Sequence, residues 1–214
     1  MPPDTPPAAR GRPRTITRER IADAGIAVGL PNVSFVNVAA ALGVSHMALY
    51  KRVESLEALK LMVAEEIFTR WPVPHAGADT HPELRDYLVA LVISLRDMVK
   101  THPGLAPYLL RPSVTTQPMM AKIHGHQTEV ARVYGVSPDQ ARVLLATVAF
   151  HCIAVADTVY SVAGEEPAAR PDRATEEAQV EAEFAQGMYA LIVGALAVLE
   201  QREPFDPALF QARQ

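Results

Sequence analysis

The chain carries a single cysteine, Cys152, among its 214 residues. That count excludes an intrachain disulfide framework and a paired-cysteine metal knuckle. Its N-terminus has no apolar core of the kind a signal peptide needs, so a cytoplasmic protein is the expectation. The apolar stretch of residues 143–162 is interrupted by His151, Cys152, Asp157, Thr158 and Ser161. It reads as a buried helix rather than a membrane span. No nucleophile elbow, P-loop, GxGxxG or HExxH run occurs, and Cys152 lies among apolar residues, where a thiol tends to be inert. An enzyme, a cofactor and a resident metal are therefore not expected. His124 and His126 stand two apart on different helix faces, which disfavours a metal pair. Strand-like alternation and internal repeats are also missing, and an all-α fold follows.

What is present is ample apolar material and an uneven charge. Hydrophobic residues make up 49% of the chain, enough for a packed core. The net charge of −4 is unevenly spread. Residues 1–53 hold seven basic and three acidic side chains, whereas the remainder holds 13 basic and 21 acidic ones. A basic head on an acidic body suits a phosphate-binding module joined to a body with another task, although chance clustering also gives such a pattern.

Residues 1–14 are basic and Pro-rich and read as an extended arm. A first helix starts at the cap Thr17 and ends at Gly29 and Pro31. Ser34 caps a second, with Val38, Ala41 and Leu42 facing inward until Gly43. Ser45 caps a third over His46 to about Val53, and Ser55 opens a fourth whose stripe is Leu59, Met62, Val63, Ile67 and Trp71. The Trp71-Pro72-Val73-Pro74 run marks a boundary. Residues 15–71 thus form a three-helix head with a connecting helix, and residues 75–214 a helical-bundle body. In the body, helices are expected over Leu84–Val99, Leu105–Leu110, Pro118–Tyr134, Ser137–Ala163 and Thr175–Gln201. Pro at the first helical position after Ser137 is a strong start signal.

Helix, glycine corner and helix between Val36 and Val53 match helix-turn-helix geometry, in which the second helix enters the DNA major groove. Ala39 and Ala40 permit close approach, and Val44 and Leu49 plug the core. His46, Met47, Ala48, Tyr50, Lys51 and Arg52 then face outward, with Ser45 at the head of the same surface. Lys51 and Arg52 suit phosphate or guanine contact. A helical hairpin with an exposed basic turn has the same local pattern.

The ordered run Thr17-Arg18-Glu19-Arg20-Ile21-Ala22, Asn37-Val38-Ala39, Ala41-Leu42-Gly43-Val44-Ser45 and Ala48-Leu49-Tyr50-Lys51-Arg52-Val53, with Ser55 and Leu59, resembles the TetR (tetracycline repressor) family. It covers residues 15 to about 70. The resemblance implies operator contacts from His46, Met47, Ala48, Tyr50, Lys51 and Arg52, with phosphates met near Ser34 and Tyr50. Two positions depart from the family pattern: Leu56 stands where a lysine is usual, and Arg52-Val53 where a His-Phe pair is usual. Loss of that lysine removes a phosphate contact, which Arg52 can offset. Further upstream, Arg10-Gly11-Arg12-Pro13-Arg14 resembles an AT-hook core, which would put Arg12 and Arg14 in a minor groove. A solvated tail giving only non-specific attraction is the other reading.

The Ser137–Ala163 segment is apolar nearly all round, and such a helix is buried on both sides. Val148, Val155 and Val159 on it, with Phe184, Gly187, Met188, Leu191 and Gly194 on the last helix, form the expected homodimer interface. The resemblance implies a four-helix bundle there and a ligand pocket between the central helices. Met98, Met120 and Phe150 are the expected apolar wall, and His102, Tyr108, His124, His151 and Asp157 the polar groups fixing a small-molecule effector. For each of these, a place in an ordinary core is the competing reading. The functional expectation is a one-component regulator, a repressor that releases double-stranded operator DNA on binding its effector. A constitutive or architectural DNA-binding protein is the alternative.

Overall fold

Hydroxyl side chains start six of the described helices. Thr17 accepts the Arg20 amide, Ser34 that of Asn37, Ser45 that of Ala48, Ser55 that of Ala58 and Thr116 that of Met119, at 3.0–3.5 Å. Ser137 and Gln140 bond each other's backbone amides reciprocally, at 3.2 and 2.9 Å. Each cap satisfies an amide the helix itself leaves free, and all but that of Thr116 stand out in the sequence. The computed structural model describes residues 16–77, 79–162 and 173–200. The described residues are helical, with no strand among them.

The head comprises α1 (Arg18–Val28), α2 (Phe35–Leu42) and α3 (His46–Tyr50), and α4 (Leu56–Arg70) leads from it to the body. Ile21, Val38, Ala39, Leu49, Val53, Leu59 and Val63 make one core. Ala41 is exposed, whereas Phe35 and Ala39 are buried. The inward stripe of α2 is therefore 35, 38, 39 and 42, the i, i+3, i+4, i+7 set of a helix beginning at Phe35. The third helix stops at Tyr50, and Lys51 and Arg52 lie in a turn closed by Arg52 and Val53 amides on the Leu49 carbonyl.

α1 and α4 are held together at three levels. Gly25 faces Val63 so closely that a Cβ there would lie 2.2 Å from Val63 Cγ2. Arg18 pairs with the buried Glu65 at 2.6 Å, and Arg70 with Asp23 at 2.6 Å and Glu66 at 2.7 Å. These contacts join the head to α4 along the length of α1.

The body comprises α5 (Leu84–Thr101), α6 (Ala106–Leu110), α7 (Gln117–Tyr134), α8 (Pro138–Val162) and α9 (Arg173–Glu200). α8 packs against α5, α6, α7 and α9. Its Leu144, Leu145, Val148 and Cys152 are buried in a core shared with Leu88, Leu91 and Leu95 of α5. Burial pushes the Cys152 thiol up to about 12, and its Sγ reaches the Val92 carbonyl at 3.5 Å. A thiol so placed stays protonated and unreactive. Glu181 of α9 accepts Tyr160 Oη at 2.6 Å, Arg96 at 2.9 Å and Lys100 at 3.1 Å, tying α9 to α8 and α5.

Only a third of the apolar window of α8, and 17% of that of α9, is buried within the protomer. Both helices are long and apolar enough to cross a membrane by length and composition. The packing of α8 on four neighbours marks it as a core helix of the bundle, one of whose sides remains open.

Candidate functional site

The corner between α2 and α3 is closed by backbone geometry. Gly43 adopts φ 68° and ψ 34°, the left-handed region that a side chain disfavours. Its amide bonds the Ala40 carbonyl at 3.1 Å, and the Val44 amide bonds that of Ala39 at 3.0 Å. That pair of bonds is the Schellman closure, which turns the chain sharply while satisfying the last carbonyls of α2. Leu49, fully buried, then seats α3 on the head core.

With Leu49 inward, the opposite face of α3 is presented to solvent. His46, Met47, Tyr50, Lys51 and Arg52 are exposed, and Ala48 is half-buried. Ile16, Ser45, Met47, Ala48, Lys51 and Arg52 border one shallow concavity. Ser45 and Ser34 commit their hydroxyls to helix amides. Tyr50 stacks on Phe35, and His46 meets the Tyr50 ring edge-on at 6.4 Å. The sequence-derived set from Ser45 to Arg52 is thus brought onto one cationic surface. Arg12 and Arg14 lie outside the described residues.

The body holds a cavity of about 300 Å³ between α4, α5, α6, α7 and α8. Phe68, Trp71, Leu91, Leu95, Met119, Ile123 and Phe150 are among its apolar walls, while Thr115, His124, His126, Gln127 and Arg142 supply polar atoms. No aspartate or glutamate lines it. His126 Nε2 lies against the Oη of the fully buried Tyr87. Burial lowers the His126 pKa, and the Lys122 charge adds to that against Glu129, so the ring is a neutral donor and acceptor. Among the described residues no cluster of metal-ligating side chains occurs.

Of the residues expected at a ligand site, Met120, His124 and Phe150 line this cavity. Met98 and His102 instead border a cleft with Ile26, Ile67 and Arg70, between the head and α5. His151 is exposed, its Nδ1 2.7 Å from the Thr147 carbonyl, and opens on a groove between α8 and α9. Tyr108 and Asp157 are half-buried away from the cavity. His126, Trp71, Phe68 and Arg142 were not foreseen. Met119, Ile123, His126 and Gln127 recur at i, i+4, i+7, i+8, so the helical period of α7 carried that part of the signal.

The expected dimer residues divide. Val155 and Gly194 are exposed, Val159 and Leu191 are half-buried, and Gly187 is exposed along the same α8–α9 groove. Val148 is fully buried in the protomer's own core, while Phe184 and Met188, 6% and 4% exposed, lie largely in that core and border the α8–α9 groove. Val143 and Val198, 53% and 64% exposed, extend the open apolar face instead.

No protein-family model matches the sequence, and no curated protein matches it significantly. Solved structures match it in fold. ActR of Streptomyces coelicolor in complex with actinorhodin, described as a TetR family protein, superposes with a TM-score of 0.68 at 19% identity. The match covers 89% of this chain and 100% of that one. The chain has the TetR fold. A TetR variant from Acinetobacter baumannii AYE in complex with minocycline matches at a TM-score of 0.66 and 18% identity, over 87% of this chain and all of the other. Apo ActR matches at 0.61 and 19%, over 88% and 97%. The TetR-like arrangement thus extends from the head, where the residue pattern pointed to it, through the helical body.

Proposed function

We propose that this chain is a homodimeric one-component transcription regulator, a repressor whose α3 reads operator DNA and whose body cavity takes a small-molecule effector. The observation that carries the reading is the exposed face of α3 with the cationic Lys51–Arg52 turn that follows it, seated by Leu49 and turned outward by the Gly43 corner. Lys51 and Arg52 meet phosphates or guanine edges, while His46, Met47 and Ala48 face the base edges. Tyr50 and the α2 start at Ser34 meet backbone phosphates, and the basic arm with Arg12 and Arg14 adds charge to the contact.

A single short helix reads few base pairs, so specificity calls for two heads on half-sites roughly 34–36 Å apart. A second copy packs on the open face of α8 and α9, through Val155, Val159, Gly187, Leu191 and Gly194, giving a four-helix bundle. The apolar cavity, with its few polar groups, favours an effector-controlled protein over a constitutive DNA binder. Two proteins of the same fold hold small organic molecules, which supports that choice. Such a protein works in the cytoplasm and performs no catalysis.

Selection of an operator from random duplex DNA tests the reading. An inverted repeat with the stated spacing is expected, with no duplex preferred over competitor as the contrary result. Lys51→Ala should weaken binding to all sequences and lower the salt slope by about 1, whereas His46→Ala should alter preference at particular base pairs.

A further inference from the structure

Lys122 lies on α7 beside the cavity-lining Met119 and Ile123, yet its ammonium points to α4. Nζ donates to the carbonyls of Phe68 at 3.0 Å and Thr69 at 2.8 Å, and also to that of Trp71. The final carbonyls of a helix have no partner within it and carry the negative end of its dipole. Lys122 therefore closes the end of α4 from another helix, using all three of its donors. No carboxylate among the described residues pairs with it, so the helix end is its counter-charge. The same ammonium stands 5.6 Å from the ring centroids of both Phe68 and Trp71.

Those two rings are also walls of the cavity. Whatever fills the cavity presses on the residues whose carbonyls the ammonium holds, and α4 carries the head through Arg18–Glu65, Arg70–Asp23 and the Gly25–Val63 contact. We infer that Lys122 is the positioning residue that transmits cavity occupancy to α4 and so to the DNA-reading heads, a role that rests on the regulator reading above. With the cavity empty, three bonds fix the end of α4. An occupant that displaces the Phe68 and Trp71 rings makes the three bonds incompatible, and α4 moves to an alternative position that carries the head off its half-site. A plain structural cap would stabilise α4 equally whether the cavity were full or empty.

Full-length protein and its selected operator duplex provide the test, with Ala149→Phe, which fills the cavity, standing in for an occupant. With Lys122 present, Ala149→Phe should lower operator affinity by about tenfold, and in a Lys122→Met background by less than about threefold. Lys122→Arg, which keeps a cation there, should restore most of the difference. Trp71 is the chain's one tryptophan, so its emission reports on the clamp directly. Saturating operator should reverse the change in Trp71 emission and acrylamide quenching that Ala149→Phe produces when Lys122 is present, and leave both unaltered when Ala149→Phe is combined with Lys122→Met. An equal loss of affinity in both backgrounds overturns the role of Lys122 and leaves the regulator reading standing. An Ala149→Phe protein that binds operator as tightly as the parent overturns the coupling of cavity to head and with it the role of Lys122, whereas a parent that prefers no duplex overturns the regulator reading. Should Lys122→Met fail to fold, Trp71 signals unaltered by operator in the Ala149→Phe protein overturn the proposal, and their return toward the parent's values supports it.

Discussion

Tyr50, the last residue of α3, stacks on Phe35, the first residue of α2, with ring centroids 3.9 Å apart and planes inclined by 18°. The ring pair ties the far end of the reading helix back to its bracing neighbour. It leaves Tyr50 half in solvent and Phe35 7% exposed. Ring pairs of this kind contribute about 0.5–1.5 kcal/mol beyond burial. Tyr50→Ala should therefore weaken operator affinity by about two- to tenfold with a small change in Tm. Tyr50→Phe keeps the stack, so a matching loss in that variant would assign the effect to the hydroxyl and its phosphate. Binding titrations of the two variants separate the cases.

Gly25 tests the junction of head and connecting helix. A methyl group there meets Val63 Cγ2 at 2.2 Å, and the rigid branched side chain of Val63 can give way only by parting α1 from α4. Gly25→Ala should cost about 1–3 kcal/mol of stability, as overpacked sites do. Adding Val63→Ala should recover part of it. A thermal scan in which Gly25→Ala matches the parent would show that the two helices separate freely.

The open face of α8 and α9 predicts an assembly. Val155→Asp combined with Gly194→Arg places charge and bulk in the groove without touching the protomer core. Light scattering should give the mass of one chain for this variant and of two for the parent. Val148→Ala, acting on a fully buried side chain, should lower Tm by a core-cavity mechanism and leave the parent mass unchanged. The reverse pattern would move the interface elsewhere.

Glu181 gives a pH signature. The Tyr160 hydroxyl, then Lys100 and Arg96, hold its carboxyl below the usual carboxylate range. A depressed folded-state pKa contributes stability above the unfolded value of about 4.3, and that contribution is lost as the pH falls through the folded value. Glu181→Gln should thus lower Tm by a few degrees near pH 7, on the order of 1 kcal/mol for a partly exposed network. The deficit should shrink below about pH 4, where the parent protonates as well. A deficit independent of pH would indicate lost packing rather than lost charge.

Most of the head was written locally in the chain. Hydroxyl caps at Thr17, Ser34, Ser45 and Ser55, the glycine corner at Gly43 and helical apolar spacing each act within a few residues, so the sequence alone determined where its helices begin and which face of α3 looks outward. The one inward face misread, that of α2, hinged on Phe35, whose ring is claimed by Tyr50 across the corner. In the body the limits were different. α8 is apolar nearly all round, so no periodicity tells its core side, with Val148, from its open side, with Val155. His151 and His126 look alike as residues in a sequence, and only packing sends one to the groove and the other to Tyr87. Lys122 reads as an ordinary surface lysine, because the backbone carbonyls it binds carry no residue signature. Tertiary structure decided these points, since what each side chain meets lies on other helices, 39 residues away in the chain for His126 and more than 50 for Lys122.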